Sequence, residues 1–315
     1  MLARPEARLL QSCAELATEI LILHRFFARP RRAIARSLGI LAVILFSGFQ
    51  TAWSQTPSPL QEWQYSGGLI LSQLFEPSPP EWRSVLGLSL GVAPLYDGSK
   101  PYRVQGGPVI DVRYYNIAFA SIGEGLGVNI LHGSHYRAGV ALGYDLGRHV
   151  LDYASHLDGL ATIGAAPFVK VFGEVVLAKK FPLVLRVAVR QLVGGADGAV
   201  ADVSAYLPLP GSSRRFVMFA GPSMTFADRL YLQKFYGVNA EQSLASGYPE
   251  FYPQPGESAE GIGFSATWFM TKHVLINMDA AIDRLRGGAS QSPITQERTQ
   301  RVIDLSAAYS WGETY

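Results

Sequence analysis

From Tyr136 to Leu146 the chain alternates without a break, with Tyr136, Ala138, Val140, Leu142, Tyr144 and Leu146 on one face and Arg137, Gly139, Ala141, Gly143 and Asp145 on the other. Side chains of a β-strand point to opposite faces with period 2, so one face is apolar with aromatics near both ends and the other is small or charged. The same pattern returns in Leu86, Leu88, Leu90 and Val92; in Leu183, Leu185, Val187 and Val189; in Ile262, Phe264, Ala266, Trp268 and Met270; and in Ile303, Leu305, Ala307, Tyr309 and Trp311. Strands that cross a bilayer need roughly 9–11 residues, with apolar residues outward, aromatic girdles at the interfaces and a polar interior. The pattern therefore predicts an all-β fold, a closed antiparallel transmembrane β-barrel. A soluble β-sandwich would alternate too, but it has no need of aromatics at strand ends and would expose large apolar patches.

Twelve strands are expected: 84–93, 109–115, 117–123, 126–132, 136–146, 161–172, 182–192, 199–207, 215–226, 261–270, 273–285 and 301–311. Counted from a periplasmic N-terminus, the connections on that side are short, as at 133–135, 208–214 and 271–272. Those on the other side include the long segments 94–108, 147–160, 227–260 and 286–300. Short periplasmic turns and longer outer loops are the asymmetry of bacterial outer-membrane barrels. Charges facing lipid are costly, so Arg113, Arg137, Asp145, Arg186, Arg190, Asp202, Asp279, Asp283 and Asp304 are expected to face the lumen. Small barrels fill their interiors with side chains, which favours a lumen of paired charges over an open channel.

Composition sharpens this picture. Of the 315 residues, 48% are hydrophobic and 17% charged, yet the longest apolar run, Ile40 to Phe46, is too short to cross a membrane as a helix. Arg29, Arg31, Arg32 and Arg36 precede the apolar stretch from Leu38 to Phe49, followed by Ala52, Trp53 and Ser54. That is the layout of a secretory signal peptide, with cleavage expected after Ser54. Residues 1–54 are thus read as an N-terminal extension and signal, 55–82 as a leader rich in Pro and Ser, and 83–315 as the barrel. Within the leader, Leu69 to Leu74 is an apolar patch that could add a strand or enter the lumen.

Residues 1–54 carry seven Arg and three acidic residues, so their removal leaves 20 basic against 22 acidic residues, and the formal charge moves from +2 to −2. With no basic stripe left, nucleic-acid binding loses its support. The single cysteine, Cys13, lies in the removed part, which suits an oxidising envelope and speaks against a lipid-anchored lipoprotein.

Four short stretches carry a resemblance to a known family. They are Tyr96-Asp97-Gly98-Ser99-Lys100 with Pro108 after it; Gly143-Tyr144-Asp145-Leu146-Gly147-Arg148 with Leu157-Asp158-Gly159-Leu160; Phe235-Tyr236-Gly237-Val238 with Ser246-Gly247-Tyr248-Pro249 and Tyr252; and Ser292-Pro293-Ile294. In this order, between Ser84 and Trp311, they resemble the MipA/OmpV family of outer-membrane proteins. The resemblance implies a Gram-negative outer-membrane scaffold, associated with lipid and lipopolysaccharide, that joins a lytic transglycosylase and a penicillin-binding protein to peptidoglycan remodelling. Members commonly finish on an aromatic at the end of the last strand; here Trp311 stands there, but Gly312 to Tyr315 follow, which makes Tyr315 a second candidate for the assembly signal.

Read on their own chemistry, Asp97-Gly98 and Asp158-Gly159 are turn formers. Gly147-Arg148 stands where a strand leaves the membrane, within reach of lipopolysaccharide phosphates, but a local structural role is favoured over ligand binding, since loop tips select such residues whatever they bind. His149, Asp152, His156 and Asp158 gather in one outer loop, but no nucleophile accompanies them and the spacing fits no metal template. Ser134, between His132 and His135, falls in a periplasmic turn. No catalytic, cofactor or metal-binding residue is assigned, and no cofactor is expected. The reading is a non-enzymatic scaffold; its rivals are a narrow channel lined by the inward Arg and Asp residues and a hydrolase at the rim.

Overall fold

A computed structural model describes residues 80–133, 135–148, 154–177 and 183–311. The expected signal, nearly all of the leader, and Gly312 to Tyr315 lie outside the described residues. Twelve antiparallel strands form one closed barrel: β1 (Trp82–Pro94), β2 (Tyr102–Tyr114), β3 (Ala118–Ser121), β4 (Gly125–His132), β5 (Tyr136–Asp145), β6 (Ala166–Val176), β7 (Val184–Leu192), β8 (Gly198–Pro208), β9 (Phe216–Ala227), β10 (Gly256–Phe269), β11 (Val274–Leu285) and β12 (Thr299–Trp311). Each strand pairs with its neighbours in sequence, and β12 closes on β1 from Trp311 opposite Ser84 to Ile303 opposite Val92. No helix among the described residues is long and apolar enough to cross a membrane; the crossing elements are strands.

Burial follows the sequence pattern. In β5, Tyr136, Val140, Leu142 and Tyr144 are exposed while Arg137, Gly139, Ala141 and Asp145 are buried. The exposed face of the whole wall is aliphatic, as in Leu88 at 72%, Val104 at 68% and Ile262 at 64%. Aromatics close this belt at the periplasmic ends, with Trp82, Tyr115, Tyr136, Phe216, Trp268, Tyr309 and Trp311, and at the outer ends, with Tyr102, Tyr144 and Phe226. A belt of this kind is stable only against hydrocarbon, since in water it would be an exposed patch far larger than soluble monomers carry.

Three expected boundaries move. The segment 94–108 is not all loop, because β2 begins at Tyr102. Gly106, Gly107 and Pro108 hide that half of the strand from a propensity reading, since Pro and Gly weaken strands; here Pro108 stands where β2 has no partner on its β3 side, a position that tolerates a missing N–H. The strand expected from 161 starts at Ala166, with Ile163 held instead in an isolated bridge to Arg148. β10 starts at Gly256, and a bulge between Glu257 and Ala259 restores its register with β9.

Among the described residues, the outer connections carry four short helices: α1 (Ala154–Leu157), α2 (Arg229–Tyr236), α3 (Ala240–Ser246) and α4 (Gly287–Gln291). Two of them begin on local capping chemistry. Asp228 accepts the Tyr231 N–H at 2.8 Å. Asn239 and Gln242 form a reciprocal capping box, at 2.8 and 2.9 Å.

Candidate functional site: the lumen and the lid over its outer mouth

All nine charged residues expected to face the lumen are buried. On the β2–β7 side they are paired. Arg113 donates to Asp111 at 2.9 and 3.0 Å and also bonds Glu124, which turns inward from the β3–β4 turn. Arg137 donates to Glu124 at 2.8 Å and to Glu174 at 2.6 and 2.9 Å, and Arg186 lies 3.2 Å from Glu174. The guanidinium groups also stand over rings, Arg113 over Phe119 at 5.3 Å and Arg137 over Phe172 at 5.5 Å. Further along, Arg190 lies 3.3 Å from Asp202, which accepts the Thr225 hydroxyl at 2.8 Å.

The wall from β10 to β1 is built differently. Many of its inward residues are small or hydroxylated, including Gly87, Ser89, Gly91, Gly261, Ser265, Thr267 and Ser306, and they stand with Arg83, Asn277, Gln300 and three carboxylates. Asp279 and Asp304 are cross-strand partners. Asn277 donates to Asp279 at 2.6 Å and itself accepts from Thr267 at 2.7 Å. The Asp283 and Asp304 carboxylates lie against Gly261 and Gly91, where a Cβ would collide with them.

Apolar layers close the lumen toward the periplasm. Val85, Val109, Phe269, Leu275 and Ala308 meet from five strands, Val176, Val184, Tyr206 and Phe219 meet from four others, and Val217 packs against both groups.

The outer mouth is filled by α2. Leu232 and Tyr236 are buried among inward residues of six consecutive strands: Phe168, Leu192, Val200, Ala227, Ala259 and Leu285. The helix comes so close to the wall that a Cβ on Gly198 would lie 2.4 Å from the Tyr231 nitrogen. Above it, four outer loops share one apolar core: Tyr96, Leu157 and Leu160, Val238, and Ile294.

Hydrogen bonds lock these loops to one another. The Tyr236 hydroxyl bonds the Asp97 carboxylate. Arg148 donates to the Phe235 carbonyl at 2.6 Å, at the C-terminus of α2, where a cation suits the helix dipole. Ser292 donates to the Tyr236 carbonyl at 2.6 Å and Tyr96 to the Ile294 carbonyl at 3.2 Å. The N–H groups of Gln296 and Glu297 converge on the Gly98 carbonyl at 2.8 and 3.0 Å.

Burial sets the electrostatics of this junction. It raises the Asp97 carboxyl to about 7, with Arg148 opposing the rise. The Tyr96 phenol goes up to about 12, again chiefly by burial, while Arg148 comes down to about 10 for the same reason. The buried Tyr231 phenol is likewise held well above its ordinary range.

The four stretches that carry the family resemblance therefore meet in one place, although nearly two hundred residues separate the first from the last. Arg148 takes the local structural role favoured for it over contact with lipopolysaccharide: it is buried and spends its charge on the end of α2. His149 and Asp152 lie outside the described residues, while His156 and Asp158 are exposed on the lid. Ser134 also lies outside; His132 is exposed and His135 half-buried at the periplasmic rim. Among the described residues, no group of His, Cys, Asp or Glu is arranged to hold a metal ion. The residues missed were Glu124, Lys170 and Glu174 in the lumen and Tyr231 and Leu232 in the plug. Lys170 and Glu174 continue the inward parity of their strand and were open to discovery, whereas the plug depends on where a loop folds.

An apolar outer belt between aromatic girdles, short turns on the N-terminal side and a filled lumen define a transmembrane β-barrel of the outer-membrane kind. The chain belongs to the MipA family, whose model, described as MltA-interacting protein MipA, matches residues 86–311. No curated protein matches it by sequence. Among solved structures it is similar to the NanC porin, at 9% identity over 72% of this chain and 98% of that one, with a TM-score of 0.36. It is also similar to the CymD monoaromatic hydrocarbon channel, at 11% identity over 79% and 92%, TM-score 0.37. A third is OprB of Pseudomonas putida, at 12% identity over 64% and 48%, TM-score 0.32.

Proposed function

We propose that this barrel is a non-enzymatic outer-membrane anchor that holds murein-remodelling enzymes, a lytic transglycosylase first among them, against the inner face of the outer membrane. One observation carries the reading. Paired charges and apolar clusters occupy the lumen and α2 plugs its outer mouth, which supports a closed body whose useful surface is its periplasmic rim. A diffusion pore has no use for an α-helix packed against six strands of its own mouth. The matched family's description, which specifies interaction with MltA, supplies the class of partner. In this reading the loop junction serves rigidity: it fixes the barrel so that its periplasmic turns present one arrangement.

The test is affinity purification of the full-length chain from crosslinked envelopes. A lytic transglycosylase should be enriched over an unrelated barrel of similar abundance, and purified enzyme should bind the barrel in detergent. Failure to recover any murein enzyme in both formats would overturn the reading.

A further inference from the structure

Four consecutive strands, β10, β11, β12 and β1, set two rows of inward side chains side by side near the middle of the lumen. One row runs Thr267, Asn277, Ser306, Ser89 and the next runs Ser265, Asp279, Asp304, Gly91, each residue the register partner of the one before it. All eight are buried, and every one but Gly91 carries a side-chain oxygen. Neither row holds a Lys or an Arg. Apolar residues bound the patch along the wall, with Phe269, Leu275 and Ala308 toward the periplasm and Ala281, Val302 and Ala93 toward the outside.

The hydrogens of the patch are spent on one side of it. Thr267 and Ser265 both donate to Asn277 Oδ1, at 2.7 and 3.3 Å, and Asn277 donates its amide to Asp279 Oδ2 at 2.6 Å. Asp279 Oδ1 and both oxygens of Asp304 accept no hydrogen bond, although Asp304 is only 2% exposed. The Ser89 hydroxyl on the neighbouring strand, at 7%, is likewise buried without a hydrogen-bond partner. Among the described residues, neither carboxylate forms an ion pair.

Like charges opposite one another on adjacent strands repel, and burying them unpaired is costly. The β2–β7 side of the lumen answers its carboxylates with guanidinium groups; this side offers them oxygen. A surplus of acceptors over hydrogens is what a hard cation binds, and calcium takes about six to eight oxygens from carboxylates, neutral groups and water. Two carboxylates alone hold no metal, but the neutral oxygens of the same rows can complete a shell. A divalent ion also matches their two charges.

We propose that Asp279 and Asp304 hold a calcium ion inside the lumen, with Ser89, Ser306 and water filling its oxygen shell. The ion would tie β11, β12 and β1 together, as the arginines tie the strands of the opposite wall. Asp283 is not part of this set, since it lies further out, in a row with Gly261 and Gln300.

The test unfolds the full-length chain in urea with EDTA, refolds it in a neutral detergent free of lipopolysaccharide, and supplies calcium, magnesium or neither. Equilibrium dialysis with radioactive calcium should find a single ion retained per folded chain. The midpoint of the heat-induced shift in electrophoresis should rise by several degrees with calcium and by less with magnesium. Asp304→Asn should abolish both effects, Ser89→Ala should weaken retention several-fold, and Asp283→Asn should leave both unchanged. Calcium retained by the Asp304→Asn barrel, no calcium retained by the unaltered chain, or equal loss in Asp283→Asn would overturn the proposal. If Asp304→Asn does not fold, undiminished retention in Ser89→Ala overturns it. A midpoint that climbs in EDTA on acidification to the level reached with calcium would assign the site to protons and overturn it too.

Discussion

In the wall of this barrel a residue's partner stands opposite it on the next strand: Arg137 meets Glu174, its register partner on β6, and Asp279 meets Asp304 on β12. In the lid the partners come from far along the chain, as when Tyr96 reaches Ile294, 198 residues away, or Asp97 reaches Tyr236, 139 residues away. The wall repeats a period-2 rule and is held by a ladder of backbone bonds. The lid obeys no period and is held by a few side chains that each serve several loops. Damage to the first should therefore spread through the barrel, while damage to the second should stay at the mouth.

The largest effect is expected in the wall. Glu174→Gln strips a buried partner from Arg137 and Arg186, and losing one member of such a pair costs about 3–5 kcal/mol. Urea unfolding in lipid vesicles should show it as a shift of the whole transition. Leu232→Ala removes the fully buried side chain at the centre of the plug and should cost about 3 kcal/mol. Its signature is local: faster proteolysis within 228–255, with heat-modifiable migration retained. Gly159 has a φ of +79° and lies against the backbone of Ala245 and Ser246, so Gly159→Ala should loosen the lid by somewhat more than about 1 kcal/mol. Hydrogen exchange in α3 would report it.

The lid also carries a pH dependence of its own. Burial raises the Asp97 carboxyl from 3.8 to about 7, so the folded lid binds a proton that the open lid releases. The stabilisation is complete below the ordinary carboxylate value, declines as pH rises through about 7, and stays lost above it. Protection of 228–255 from protease should fall over that interval, and Asp97→Asn should flatten the profile. A flat profile in the unaltered chain would remove Asp97 from this role.

The same contrast explains what could be read from residues alone. Alternation gave the strands, their inward charges and the unequal loops, because each strand lies between oil and a polar lumen and every second residue answers to that. It failed at Gly106 to Pro108, where strand propensity is locally poor, and at Glu124, which acts from a turn. The segment 227–260 read as loop although Asp228 and the Asn239–Gln242 pair are helix starts. The short motifs at Asp97, Arg148, Tyr236 and Ser292 were visible, but a turn former looks the same whether it points to water or into a junction. Only the closing of the barrel brings those four together.

The central claim is that the outer mouth is plugged, and recording from the purified barrel in planar lipid bilayers tests it most directly. The unaltered chain should show no stable conductance, and discrete steps should appear only when deletion of 229–236 is combined with Phe219→Ala and Phe269→Ala, which thin the apolar layers on the periplasmic side. Steady, ohmic openings from the unaltered barrel would contradict the plug and the closed scaffold together.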